Sequence, residues 1–341
     1  MNRLALALLP ALTFSLACGP KEPAATERTY ANPTVSPSSS TPIATTTPAD
    51  AVGRLIEQGQ YDAAKKEIDA RIAKEPNNAE AWAYKGIVSE KLGDLPAAEG
   101  AYRKALDLNP ALAAAAENLS AIYIDTKKYA QAVAIGEAIV AKQKETGAVL
   151  LNLAIAHAEL GNGDKATLHF TSAKAKSPND AYAAFTYGHW LGAWKKSDEA
   201  KAELSRAATL TKNDAEGRPM LASLGHEFRG IGAFQECEGA FTRAIGVKDA
   251  AELRTERSLC FLGLNQGDKA LEDLEAAVAL DPNFTVAHYY LGGRYAAAGK
   301  LQRGIDSYTR FIELSKDAGM KKEAAARIEK LKSALKKAPK K

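Results

Sequence analysis

The residues of this 341-residue chain best suited to chemistry are three cysteines and five histidines. A thiolate or an imidazole can bind a metal ion or act in covalent catalysis, but each role needs partner residues at defined spacings. None of the histidines has a second ligand at a spacing typical of metal sites, and the chain lacks a nucleophile elbow or a glycine-rich phosphate loop. We therefore predict that the chain is not an enzyme and has no metal, no cofactor and no small-molecule substrate. The histidines are His157, His169, His189, His226 and His288.

The first cysteine, Cys18, follows an apolar run over residues 4–16 that is preceded by Arg3. The run is too short for a permanent transmembrane helix, but it suits a secretory signal. We predict a signal peptide over residues 1–17 and export of the chain.

The sequence from Ser15 to Cys18 resembles the lipobox of bacterial lipoproteins, in which the cysteine is lipidated and becomes the new N-terminus. That resemblance implies that Cys18 carries a membrane anchor. Gly19, in place of Asp, favours a periplasm-facing position on the outer membrane. Ser15 departs from the leucine usual at its position, and Ser15 with Ala17 also suits ordinary signal cleavage. The alternative is therefore a soluble periplasmic protein with a free thiol.

Residues 18–47 are rich in Pro, Thr, Ser and Ala and have almost no large apolar side chains. Such a segment cannot bury enough surface to fold, so we predict a flexible tether after the lipidated cysteine.

A 34-residue pattern begins after this segment and recurs almost to the end of the chain. Its clearest copy has Trp82, Gly86, Tyr102, Ala105 and Pro110. Large residues lie at helical spacing, small ones allow two helix axes to approach, and proline ends the second helix. The predicted copies cover residues 45–78, 79–112, 113–146, 147–180, 181–214, 218–250, 251–284 and 285–318.

This pattern resembles the tetratricopeptide repeat. The resemblance implies an all-α fold, a right-handed superhelix of helix-turn-helix units over residues 48–318. An apolar stripe in residues 319–338 predicts a capping helix with charged residues on its other faces, and residues 339–341 form a basic tail.

Some residues fit the repeat less simply. Arg257 takes a leucine position, so we expect its helix to be rotated or partly exposed, because an unpaired buried guanidinium is unfavourable. His157 and His288 take aromatic positions, where we expect them to be packed. We expect the adjacent carboxylates Glu272 and Asp273 on exposed helix positions.

The two remaining cysteines, Cys237 and Cys260, fall on the second helix of one predicted repeat and the first helix of the next. Adjacent repeats pack, so an exported chain could join them in a disulfide. Both could equally be small, buried apolar residues.

The family resemblance implies that the first helices line a concave groove that binds a protein or peptide. Two asparagines, Asn118 and Asn152, occupy the position at which related superhelices carry an asparagine ladder for the peptide backbone. Asparagine is also common at that position of the repeat, so both could equally be consensus residues without a ligand. Tyr289 and Tyr290 fall in the last copy. The candidate peptide-binding residues are Tyr84, Ile87, Glu117, Asn118, Ala121, Leu151, Asn152, Ile155, Tyr182, Phe185, His189, His226 and Arg229.

Positive charge is concentrated at the C-terminus. Residues 319–341 contain nine Lys and Arg and two Glu, a net charge of +7, whereas the whole chain carries +4. The tail can be a solvated face of the capping helix or a contact for anionic lipid or an acidic partner. For an exported protein we expect no nucleic-acid partner.

Two functions fit these observations. The first is a lipid-anchored interaction scaffold that assists assembly of a complex in the bacterial envelope. The second is a soluble periplasmic chaperone or carrier that holds extended peptides in the groove.

Overall fold

The computed structural model describes residues 51–337, and within that range it contains seventeen α-helices and no strand. The all-α solenoid predicted from the sequence is confirmed. The helices are α1 Ala51–Glu57, α2 Tyr61–Lys74, α3 Ala79–Lys91, α4 Leu95–Leu108, α5 Ala113–Asp125, α6 Tyr129–Val140, α7 Gly147–Glu159, α8 Gly163–Lys176, α9 Ala181–Ala193, α10 Ser197–Leu210, α11 Arg218–Gly230, α12 Phe234–Val247, α13 Ala251–Gly263, α14 Gly267–Leu280, α15 Thr285–Ala297, α16 Leu301–Leu314 and α17 Ala318–Lys337.

The predicted signal peptide, Cys18, the tether and the basic tail lie outside the described residues. Inside the described range, no helix combines the length and apolar character that crossing a bilayer requires.

The helices form successive hairpins, and each hairpin contacts the next one along the chain. The first helices α3, α5, α7, α9, α11, α13 and α15 begin at the residues where the predicted repeats begin. First helices also contact one another, from α3 through α5 to α7 and from α9 through α11 and α13 to α15. The apolar core is correspondingly extended along the stack instead of being gathered at one centre.

In several hairpins a small residue on the first helix faces a bulky side chain on the second helix. A Cβ added at Gly86 would lie 2.5 Å from the ring of Tyr102, and one at Gly225 would lie 2.5 Å from the ring of Phe241. The same arrangement pairs Gly292 with Tyr308. The missing side chain lets the two helix axes approach until the ring fills the space between them.

The turn inside each hairpin has one residue with a left-handed backbone. Gly93 has a φ of 81° and Gly161 a φ of 77°, values that glycine adopts without steric cost. In other repeats Lys127, Lys195 and Asn265 take this conformation at the corresponding place. The turn geometry is therefore kept even where the sequence lacks glycine.

Arg257 and Asp273 form an ion pair that was not predicted from the sequence, and the burial of Asp273 corrects one expectation. The Arg257 side chain is 16% exposed, and its Nε and Nη2 donate hydrogen bonds of 2.7 Å to the two carboxylate oxygens of Asp273. Asp273 is buried, whereas its neighbour Glu272 is exposed, so the expectation of two exposed carboxylates was wrong for Asp273. Arg254 adds a third bond to the same carboxylate, at 3.2 Å. The guanidinium is paired, so α13 needs no rotation to accommodate it.

The last helix, α17, covers the end of the stack. Met320, Ala324 and Ile328 are buried on its inner side and join the core cluster formed by α14, α15 and α16. Its polar residues lie on the outer faces, as a terminal cap requires.

We predict that Asp273→Ala lowers the free energy of unfolding by about 3 kcal/mol, because it leaves the Arg257 guanidinium largely buried without its partner. Glu272→Ala, one residue earlier on the same helix, is the matched control and changes stability by less than about 0.5 kcal/mol. Urea unfolding followed by circular dichroism measures both values. Equal midpoints for the two variants would show that the ion pair does not hold α13 against α14.

Candidate binding surface on the first helices

The thirteen predicted peptide-binding residues separate into a buried set and a partly exposed set. The buried set corrects the expectation of an open groove lining. Its members are Tyr84, Ile87, Glu117, Asn118, Ala121, Leu151, Asn152, Ile155 and Phe185.

Most of the apolar members of the buried set belong to the core. Tyr84, Ile87, Leu151 and Ile155 lie in one apolar cluster, and Phe185 lies in the next cluster along the chain. Because neighbouring first helices touch, a large apolar residue on the side that faces the next helix is covered by it. These residues lie at the repeat positions assigned from the sequence, but the sequence did not predict that their side chains are buried.

The two asparagines use their side chains inside the protein. Asn152 Nδ2 donates to the Glu117 carbonyl oxygen at 3.1 Å and to Ser120 Oγ at 2.9 Å, which ties α7 to α5. The Asn118 side chain is buried on α5, near the hydroxyl of Tyr102 on α4. Both asparagines are therefore buried between repeats in this structure, and a role in ligand binding stays a prediction.

The partly exposed set consists of Tyr182, His189, His226 and Arg229, which lie on α9 and α11. About one third of the His189 and His226 side chains is exposed, at 34% and 37%. This part of the predicted surface is accessible and carries aromatic and basic groups.

Carboxylates link these basic groups across three first helices. His189 Nδ1 on α9 lies 2.9 Å from Glu227 Oε1 on α11. Arg229 Nη2 and His226 Nδ1 on α11 lie 3.2 Å and 3.5 Å from Glu256 Oε2 on α13. We call these five residues, His189, His226, Glu227, Arg229 and Glu256, the inner ladder.

Neither glutamate of the inner ladder was among the predicted residues. Glu256 stands at the sixth position of its repeat, the position that Asn118 and Asn152 hold in theirs. This shared repeat position was a signal from which Glu256 could have been predicted. Glu227 has no equivalent signal, because only the packing of α9 against α11 brings it to His189.

The electrostatics of the ladder favour a charged His189. Burial by itself lowers the pKa of His189, but the hydrogen bond from its ring to Glu227 and the negative charges of Glu227 and Glu159 outweigh that effect and raise the pKa above its ordinary value. In the folded protein the imidazolium therefore persists to higher pH than in the unfolded chain.

The other histidines have structural surroundings. His157 is buried and its ring stacks on that of His169, with centroids 5.5 Å apart, and burial lowers the pKa of both. His288 is only half-buried, with Nε2 2.9 Å from the Pro282 carbonyl oxygen. In the part of the chain that the structure describes, no three His, Cys, Asp or Glu residues are grouped as metal ligands.

The two cysteines meet where α12 packs against α13. The structure joins Cys237 to Cys260 in a disulfide, and both residues are buried. This bond fastens the repeat over residues 218–250 to the one over 251–284, next to the Glu256 end of the inner ladder. Cys18, the predicted lipidation residue, lies outside the described residues.

Comparison with known proteins agrees with this geometry. Residues 54–113, 90–144, 119–181 and 259–319 match the family model described as Tetratricopeptide repeat, and together these segments cover more than half of the chain. The crystal structure of the APC/C hetero-tetramer Cut9-Hcn1 superposes with a TM-score of 0.51 at 19% identity, over 71% of this chain and 48% of that chain. This likeness is one of fold.

Two curated proteins align with parts of the chain. Human Tetratricopeptide repeat protein 13 is 26% identical over 172 residues, which are 48% of this chain and 20% of that protein. Serine/threonine-protein phosphatase T of Trypanosoma brucei brucei is 28% identical over 89 residues, which are 26% of this chain and 18% of that protein. The chain spans about a fifth of the length of these relatives.

The raised pKa of His189 predicts a specific pH dependence. The stabilisation by the His189 and Glu227 pair is fully present below about pH 6.5, the unfolded pKa of histidine, and is lost as the pH rises through the higher folded pKa. We expect Glu227→Gln to lower the thermal midpoint by about 1–3 °C at pH 6 and by progressively less as the pH rises to 9.

The matched control is Glu252→Gln, which removes an exposed carboxylate from the first helix α13. Its effect on the thermal midpoint is expected to be the same at pH 6 and pH 9. A Glu227→Gln effect that is also independent of pH would contradict a charged His189 in the ladder.

Proposed function

The chain belongs to the tetratricopeptide repeat family, and we propose on that basis that it is an interaction scaffold held at a bacterial membrane by a lipid on Cys18. Proteins of this family are protein-interaction scaffolds, and some of them bind peptides. In this proposal the scaffold helps to assemble a protein complex in the cell envelope, on the periplasmic face of the outer membrane, and carries out no chemistry of its own.

One observation carries the binding part of the proposal. The first helices α9, α11 and α13 stand side by side, and they bring the inner ladder and Tyr182 to a partly exposed surface. An aromatic ring, three basic side chains and two carboxylates offer both apolar contact and charge-assisted hydrogen bonds. A protein segment with alternating apolar and charged side chains matches that set better than a small molecule does.

The anchoring part rests on the sequence. Cys18 directly follows an apolar run of signal-peptide length, and the polar segment after it has the composition of a flexible tether. A tether between lipid and solenoid keeps the binding surface close to the membrane while it searches for partners, which raises the effective concentration of membrane-bound partners.

The proposal is tested by cross-linking in cells. We expect a photoreactive phenylalanine at position 182 to form ultraviolet-dependent adducts with a partner protein in the membrane fraction, because Tyr182 is partly exposed and lies on α9 seven residues before His189, on the same helix face. The control is the same amino acid at position 100, an exposed site on the second helix α4 where an added Cβ would meet no side chain and no other helix within 4 Å. Cells fed a labelled fatty acid should label the wild-type chain and leave Cys18→Ala unlabelled.

Each readout can contradict its own part of the proposal. Adducts of equal yield at positions 100 and 182 would remove the inner ladder as the binding surface. Adducts that form only at position 182, on a chain that is unlabelled and lies in the soluble periplasmic fraction, would show a soluble carrier instead of an anchored scaffold. Such a carrier would result from ordinary signal cleavage, which Ser15 and Ala17 also suit.

A further inference from the structure

The exposed end of α17 is a second surface with a distinct chemical character. From Lys330 onward every residue of the helix is exposed except Leu331, and the charged residues in this segment are all lysines. We call Lys330, Lys332, Leu335, Lys336 and Lys337 the basic end.

The basic end projects beyond the core that holds α17 in place. The last buried residue of the helix is Ile328, and Leu331 packs against the close-approach site at Gly304 on α16. After Leu331 α17 continues for six residues, whereas α16 begins only three residues before Gly304. Because the two helices form a hairpin with a short connection, the last turn of α17 extends past its neighbour.

The charge of this end is concentrated and mostly uncompensated. Lys332 lies 2.9 Å from Glu329, an exposed pair that contributes little, and no other acidic residue follows on the helix. Residues 319–341 carry +7 in a chain whose total is +4, so the residues before them sum to −3. Favourable interaction with the helix dipole accounts for lysines in the last turn. It does not account for the apolar side chain that they surround.

That apolar side chain is Leu335, which is 44% exposed and stands three residues after Lys332 and one before Lys336. Three- and four-residue spacing places Lys332, Leu335 and Lys336 on one helix face. A leucine between lysines suits a membrane interface, where the leucine enters the acyl boundary and the lysine stems reach back to the head groups.

We propose that the basic end of α17 binds the surface of a membrane that contains anionic phospholipid. Each lysine near such a surface multiplies the partition coefficient by about five, and Leu335 adds apolar burial. This contact is made by the protein itself and does not rest on a lipid at Cys18. If both exist, the protein is held at the membrane from both ends of the chain.

The test uses vesicle co-sedimentation with the mature chain, residues 18–341, carrying Cys18→Ser so that no lipid can be attached. One set of vesicles is pure phosphatidylcholine, and the other contains about 30% phosphatidylglycerol. We expect binding to the second set alone, and we expect it to disappear when the salt concentration rises from about 0.05 M to 0.5 M.

Two variants of equal charge locate the binding surface. The triple variant Lys332→Gln, Lys336→Gln and Lys337→Gln should lower the partition coefficient about a hundredfold. The control, Lys65→Gln, Lys66→Gln and Lys74→Gln, removes three exposed lysines from α2 at the other end of the stack and should change it less than about twofold. Circular dichroism checks that both variants keep the wild-type helix content.

Any of three results would overturn the inference. They are absence of wild-type binding to the anionic vesicles, equal binding to both kinds of vesicle, and equal losses in the two triple variants. Equal losses in the two triple variants would show that vesicle binding depends on the net charge of the protein and not on the basic end. Because the chain in this test has no lipid, these results are independent of the anchoring experiment.

Discussion

The structure depends on the close approach of the two helices of a hairpin, which in several repeats is made possible by a glycine opposite a large side chain. At Gly86, Gly225 and Gly292 a Cβ atom would meet the ring of the facing helix at 2.5–2.8 Å, so the ring occupies the volume that a side chain would need. This contact sets the distance and rotation of the helices in the hairpin. Hairpins with this packing present similar faces to the hairpins before and after them, and repetition then builds an extended stack.

The stack determines where function can reside. Contacts between neighbouring first helices bury the apolar residues that face the next repeat, and they engage the Asn152 amide with Glu117 and Ser120. In the middle of the chain the inner ladder is partly exposed, and its histidines and Arg229 lie within ion-pair distance of glutamates on the following first helix. Ion pairs between consecutive first helices both hold the repeats in register and offer polar groups to a partner. The Cys237–Cys260 disulfide lies beside this region and joins two of its repeats.

Periodicity was sufficient to predict the fold and the places where the first helices begin, because each repeat uses local spacing that is visible in the sequence. It was not sufficient for accessibility, which depends on how far one repeat covers the next. Asn152 occupies the expected position but is turned into a contact between repeats. The ion pair between Arg257 and Asp273, which are 16 residues apart in the sequence, was missed for a related reason. A charge at an apolar position signals an ion pair only when its partner on the next helix is known.

In the hairpins where a glycine faces a bulky side chain, the glycine position must carry no side chain of its own, and a pair of glycine substitutions measures this most directly. Gly86→Ala, on α3 against Tyr102, and Gly100→Ala, on the exposed side of α4, make the same chemical change in the same hairpin. In urea unfolding, the account predicts that Gly86→Ala lowers the free energy of unfolding by about 1–3 kcal/mol through overpacking. It predicts that Gly100→Ala raises the free energy by about 0.5–1 kcal/mol through helix propensity. If Gly86→Ala were as stabilising as Gly100→Ala, helix propensity alone would govern both sites and the close approach would not hold the repeat together.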